Sequence, residues 1–114
     1  MVAGTTGTIN WVRNGKLVTL YAAAAINGTS NATTMTMTGL PAAIVPAVDA
    51  LIYPCINLQN NTLTNIVGAV SIFGTTCTFY LSSGVSPIQV LSTGFTNIGT
   101  KGLQPGVIAT YLVA

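Results

Sequence analysis

Four charged side chains and two thiols are the whole stock of reactive groups in this chain. The charges are Arg13, Lys16, Asp49 and Lys101, and there is no His and no Glu. General acid–base catalysis needs titratable groups set to work as donor and acceptor. Asp49 is the single carboxylate side chain, so the paired carboxylates of glycoside hydrolysis are missing as well. Cys55 and Cys77 are far apart in sequence, with no His to complete a zinc site. They also have no base to make either a nucleophile. No Gly-rich phosphate loop follows a strand and opens a helix. A composite site between subunits would still lack His and Glu. The expectation is therefore a protein that is not an enzyme, with no catalytic residue, no cofactor-binding residue and no metal ligand. Interface residues are left unassigned.

Two cysteines do not make a disulfide framework. Cys77 lies in Thr76-Cys77-Thr78-Phe79, where alternation places it on the apolar face as a small buried hydrophobe. A bond to Cys55 stays open at this stage. A net charge of +2 from so few groups argues against nucleic acid, because at most three cations could meet phosphate. No basic run suits an anionic membrane surface. The longest apolar stretch, 40–56, carries Pro41, Pro46, Asp49 and Pro54, which rules it out as a spanning helix. The first six residues lack the basic-then-apolar order of a signal peptide. Asn27, Asn31 and Asn60 each begin an Asn-x-Thr acceptor pattern. A chain rich in Asn and Thr makes such patterns by chance.

The rest of the composition concerns surface. Hydrophobic residues make up 50% of the chain and charged residues 4%. A freely soluble designed surface carries roughly 25–35% charge. Uncharged apolar surface is typical of permanent interfaces, so a subunit held in a larger assembly is expected.

The elements follow from alternation. Thr34-Met35-Thr36-Met37-Thr38 has period two, which puts the methionines on one face and the threonines on the other. Gly39 and Pro41 end that strand. Residues 7–13 read as the first strand and 17–25 as the return. Asn14-Gly15 between them signals a type I′ hairpin with positive φ at both central residues. Ala22 to Ala25 could be helical by propensity, but nothing caps a helix there, so a strand end is expected. Residues 26–31 read as a polar loop. Residues 49–56 read as a strand that Pro54 marks as an edge or a bulge, and 57–62 as a loop. Residues 63–72 and 75–81 are further strands, the latter with Cys77, Phe79 and Leu81 inward and Thr76, Thr78 and Tyr80 outward. A turn over 82–87 and a short strand over 88–91 follow. Residues 92–105, with three glycines, read as loop or short edge pieces, and 106–113 close the chain as a strand. About eight short strands and no convincing helix mean an all-β, jelly-roll-like β-sandwich in one domain spanning 1–114.

Three segments carry a resemblance. They are 7–20, with Trp11, Asn14 and Gly15; 28–41; and 94–102, Gly-Phe-Thr-Asn-Ile-Gly-Thr-Lys-Gly, with the terminal 108–113. Together and in this order they resemble small β-rich surface domains of tailed-phage virions. The resemblance implies a structural protein on the virion surface, a homotrimer with a jelly-roll-like subunit. Its partners would be its own copies and other virion proteins such as the major capsid protein. Read as a whole chain, with no shaft or coiled coil before Gly7, it fits a capsid decoration (cement) protein. Read as an excised domain, it fits the distal knob of a tail or head fibre that binds a host receptor or glycan. A third reading, a carbohydrate-binding module, would use Trp11, Tyr21, Tyr53, Tyr80 and Tyr111 as a stacking platform. These aromatics serve equally as core or interface residues.

Overall fold

A computed structural model describes residues 7–30, 32–82, 90, 91 and 93–113, and most of its strands follow the alternation of the sequence. Ten strands occur among these residues: β1 (Asn10–Asn14), β2 (Leu17–Ala22), β3 (Ile26–Thr29), β4 (Met35–Met37), β5 (Ala50–Asn60), β6 (Leu63–Phe73), β7 (Thr76–Ser82), β8 (Val90–Leu91), β9 (Thr100–Leu103) and β10 (Gly106–Leu112). One 3-10 turn, Ala42–Ile44, sits between β4 and β5. A small sheet has the order β1-β2-β10, and a large one β3-β9-β5-β6-β7-β4, with β8 also on β7. Every pairing is antiparallel. The fold is thus all-β and sandwich-like, as the alternation predicts. Among the described residues no helix is long and apolar enough to cross a membrane.

The core forms where the two inner faces meet. β2 contributes Val18 and Leu20, β6 contributes Val70 and Ile72, and β7 contributes Cys77 and Phe79, all essentially without solvent contact. Burying each large side chain contributes about 1.5–3 kcal/mol. β7 alternates strictly, with Cys77, Phe79 and Leu81 buried and its other four residues half-buried. β4 does the same: Met35 is buried, Met37 is partly buried against the core, and Thr34, Thr36 and Thr38 are exposed. The Tyr111 hydroxyl donates to the Ile44 carbonyl at 2.7 Å, tying the 3-10 turn to β10.

The structure corrects several expectations. Residues 26–29, expected as loop, form edge strand β3. Residues 57–60, also expected as loop, complete β5. Residues 100–103, expected as loop or edge, form β9, an interior strand between β3 and β5. β3 and β9 carry too few apolar residues to alternate. They are strands because their neighbours satisfy their backbone groups. These additions raise the strand count from about eight to ten. Pro54 is tolerated as a bulge: the β5–β6 register shifts between Ile52 and Cys55, and β9 pairs only Leu58 to Asn60. The alanine run bends after Ala22 and makes no helix. The turn expected over 82–87 falls, beyond Ser82, outside the described residues, as do 88 and 89 of the following short strand.

The first hairpin is also displaced by one residue. Asn14 pairs with Leu17, so the two-residue loop is Gly15-Lys16, not Asn14-Gly15. Positive φ falls on Gly15 alone of that pair, at 61°. That is the pattern of a type II′ turn, which favours Gly at its first central position. The hairpins at Asn61-Thr62 and Gly74-Thr75 repeat it, with φ of 57° at Asn61 and at Gly74. Gly15→Val is expected to cost about 1–3 kcal/mol, the scale of a strained backbone position. Asn14→Val should stay within about 0.5 kcal/mol, since position 14 is an exposed strand residue. Equal losses in thermal melts of the two variants would contradict this turn.

Candidate functional site

The surface of the small sheet is built by register. Since Val18, Leu20 and Ala22 of β2 point inward, Leu17, Thr19 and Tyr21 point outward. Val12 and Thr110 flank Thr19, and Leu112 lies beside Leu17. Val12 is 56% exposed, Leu17 45% and Leu112 62%. Two threonine hydroxyls, Thr19 and Thr110, meet at 3.5 Å in the middle. Among the described residues no charged side chain lies on this face. Arg13 projects to the opposite side, beside Val18, and its guanidinium donates to the carbonyls of Gly15 and Ala43, both at 2.7 Å. Lys16 is in the turn. The result is an exposed, apolar, uncharged face with Asn10 and Asn14 at its edge.

On the inner side of β1 an open groove of about 260 Å³ runs between Ile9 and Trp11 and the segment carrying Met37, Leu40 and Pro41. Among the described residues, Thr38 and the Trp11 indole N–H are its only polar side-chain groups. A sugar needs a converging set of polar groups to orient it, and this groove lacks one. The aromatic residues weighed as a stacking platform are dispersed. Trp11 lines the groove, Tyr21 is on the outer face, and Tyr80 bonds Ser71 at 3.4 Å on the large sheet. Tyr111 is buried. The side chain of Tyr53 lies outside the described ones. The four described aromatics therefore do not form one platform.

Lys101 was legible in the sequence only as one of three scattered cations. The structure buries it completely. Its ammonium donates to the Ala32 carbonyl at 2.8 Å and to the Thr34 carbonyl, and lies 5.9 Å from the centre of the Phe95 ring. Around it, Phe95 N–H donates to Thr33 O at 3.1 Å, Ser30 N–H to Gly99 O at 2.6 Å, and the Ser30 hydroxyl to Thr96 O. Thr96 N–H donates to the Asn60 side chain at 2.9 Å. The Gly-Phe-Thr-Asn-Ile-Gly-Thr-Lys-Gly segment is thus a clamp that joins β9 to the approach to β4. Its role in the fold is structural.

The remaining reactive groups are inert or dispersed. Among the described residues no three His, Cys, Asp or Glu side chains come together. Cys77 is free, and burial pushes its thiol up to about 11 from 9.0. Burial, with a smaller contribution from Cys77, pushes the Tyr111 hydroxyl up to about 12. Both shifts favour the neutral form in the fold. Their contribution to stability is whole below the unfolded pKa and is lost as pH rises through the folded one. For Cys77 the window is pH 9 to about 11, and the loss is roughly 2–3 kcal/mol at 1.36 kcal/mol per pKa unit. Urea melts at pH 8 and pH 11 test this. The stability gap between the wild type and Cys77→Ala should narrow by about that amount. A gap that does not change with pH would contradict a buried thiol.

No family model, no curated protein and no solved structure matches this chain.

Proposed function

We propose that this chain is a non-catalytic structural subunit of a virion surface, a homotrimeric capsid decoration protein that adheres through the outer face of its small sheet. The uncharged apolar character of that face, with Val12, Leu17 and Leu112 exposed, carries the reading. The resemblance of segments 7–20, 28–41 and 94–102 to tailed-phage surface domains supplies the setting. Without charge, contact rests on shape, apolar area and neutral hydrogen bonds.

Area decides why several copies are needed. Three strands about 4.8 Å apart, paired over six residues of about 3.3 Å rise, give a face of roughly 300 Å². A stable interface takes about 800 Å² per partner. One subunit therefore holds weakly, and three engaged together hold well by avidity.

Particles stripped of their surface proteins, mixed with the purified chain at about 0.5 M salt, provide the test, since the Debye length there is only a few ångströms. Retained binding with greater heat resistance of the particle is expected. Leu17→Lys with Leu112→Lys should abolish binding and leave the melting curve of the chain near that of the wild type. Light scattering should give three times the 11.6 kDa chain mass. Binding to host cells instead of particles would replace this reading with the fibre-knob one. Binding to neither, or a stable monomer, would remove both.

A further inference from the structure

Strand β1 has an open edge. Among the described residues it pairs with β2 alone, and its residues from Trp11 to Asn14 are exposed. Natural proteins protect such edges with Pro, bulges or a free charge. β1 has no Pro and no bulge, and its one charge, Arg13, is turned to the Gly15 and Ala43 carbonyls.

The two-residue loop decides which backbone groups point outward. A two-residue hairpin closes on a hydrogen-bonded pair, here Asn14 and Leu17, and such pairs then alternate along an antiparallel ladder. Asn14, Val12 and Asn10 therefore bond to β2. The N–H and C=O groups of Trp11 and Arg13 point to the open edge.

The strand reads Asn-Trp-Val-Arg-Asn, so an antiparallel partner centred on Val12 sets Trp11 against Arg13 and Asn10 against Asn14. We propose that two copies join by antiparallel pairing of β1 with β1 about a two-fold axis at Val12. Trp11 of each copy then exchanges two backbone hydrogen bonds with Arg13 of the other, four in all. Those are the groups the hairpin leaves outward. Val12 meets Val12 as a non-hydrogen-bonded pair, the closer kind, and Asn10 meets Asn14. The stem of each Arg13 lies beside the indole of the other copy's Trp11, at the mouth of the apolar groove. The contact buries no unpaired charge and extends each three-stranded sheet to six strands. It rests on the reading of this chain as a self-assembling subunit, and it links one trimer to the next.

Disulfide trapping tests it. A non-hydrogen-bonded pair has Cα atoms about 4.5 Å apart, inside the range a disulfide spans. Val12→Cys in a Cys55→Ser background should form a reducible covalent dimer under mild oxidation. It should form at least tenfold faster than from Thr110→Cys, which is exposed on the same face but on β10. Adding Arg13→Pro removes one outward N–H and no β2 bond, so it should suppress the bridging while thermal melts confirm a folded chain. Bridging at position 12 no faster than at 110, or bridging that survives Arg13→Pro, would overturn the pairing. Scattering separates this from the trimer. A mass of three chains without bridging rejects the pairing alone, and bridging with a mass of two chains rejects the trimer alone.

Discussion

Lys101→Met is expected to destabilise the protein by about 2–6 kcal/mol, because it removes two part-buried hydrogen bonds from a charged donor, each worth about 1–3 kcal/mol. At about 4 °C per kcal/mol for a domain of this size, the melting temperature falls by roughly 8–24 °C. The opposite outcome has precedent, since replacing a buried ion pair with apolar side chains is often neutral or stabilising. That gain requires both partners to be removed together. Here the partners are the backbone carbonyls of Ala32 and Thr34, which no side-chain change can remove. The cation–π contact with Phe95 is lost as well, about 2 kcal/mol where water is excluded. Methionine retains most of the stem and a sulfur that packs on aromatic rings, so the variant isolates the ammonium. A Lys101→Met protein melting at or above the wild-type temperature would show that the clamp does not hold β9 to the approach to β4.

Gly68→Ala is expected to cost about 3 kcal/mol or more, the upper end for overpacking a filled core. Gly68 is buried in β6 between Cys55 of β5 and Leu81 of β7. An added Cβ would fall inside the contact shell of the Tyr80 carbonyl oxygen and 2.6 Å from Leu58 Cδ1. The Leu58 side chain can turn away. The Tyr80 carbonyl belongs to the strand beside it and moves only with the β7 backbone. Where there is room, Gly→Ala stabilises by about 0.4–1 kcal/mol through the unfolded chain. The steric term is several times larger at position 68 and sets the sign. Denaturant titration reads the result, and an unchanged or raised midpoint would contradict the close approach of β6 and β7.

The parts of the fold legible in the sequence are those with a strong local period. Met35 and Met37, and Cys77, Phe79 and Leu81, sit inward because the pleat of one strand alone sends successive side chains to opposite faces. The first hairpin was legible to within one residue, since Gly15 marks a turn, while the turn type depends on which residues pair across it. The outer face of the small sheet was not legible. Val12, Leu17 and Leu112 are three apolar residues on three strands, and only the register of β1, β2 and β10 makes them neighbours.

The sequence by itself determined the all-β class, the inward and outward residues of β4 and β7, and a stock of charge confined to Arg13, Lys16, Asp49 and Lys101. These follow from composition and from a period of two, which need no knowledge of distant partners. The tertiary structure alone decided that residues 26–29 and 100–103 are strands, that Pro54 sits at a bulge and not on an edge strand, and that Lys101 is a buried clamp. Lys101 finds its acceptors 69 and 67 residues away in sequence. No local pattern encodes such a contact. A backbone carbonyl becomes the partner of an ammonium when the fold takes the ammonium out of water and brings the two together, so that the charge is satisfied there.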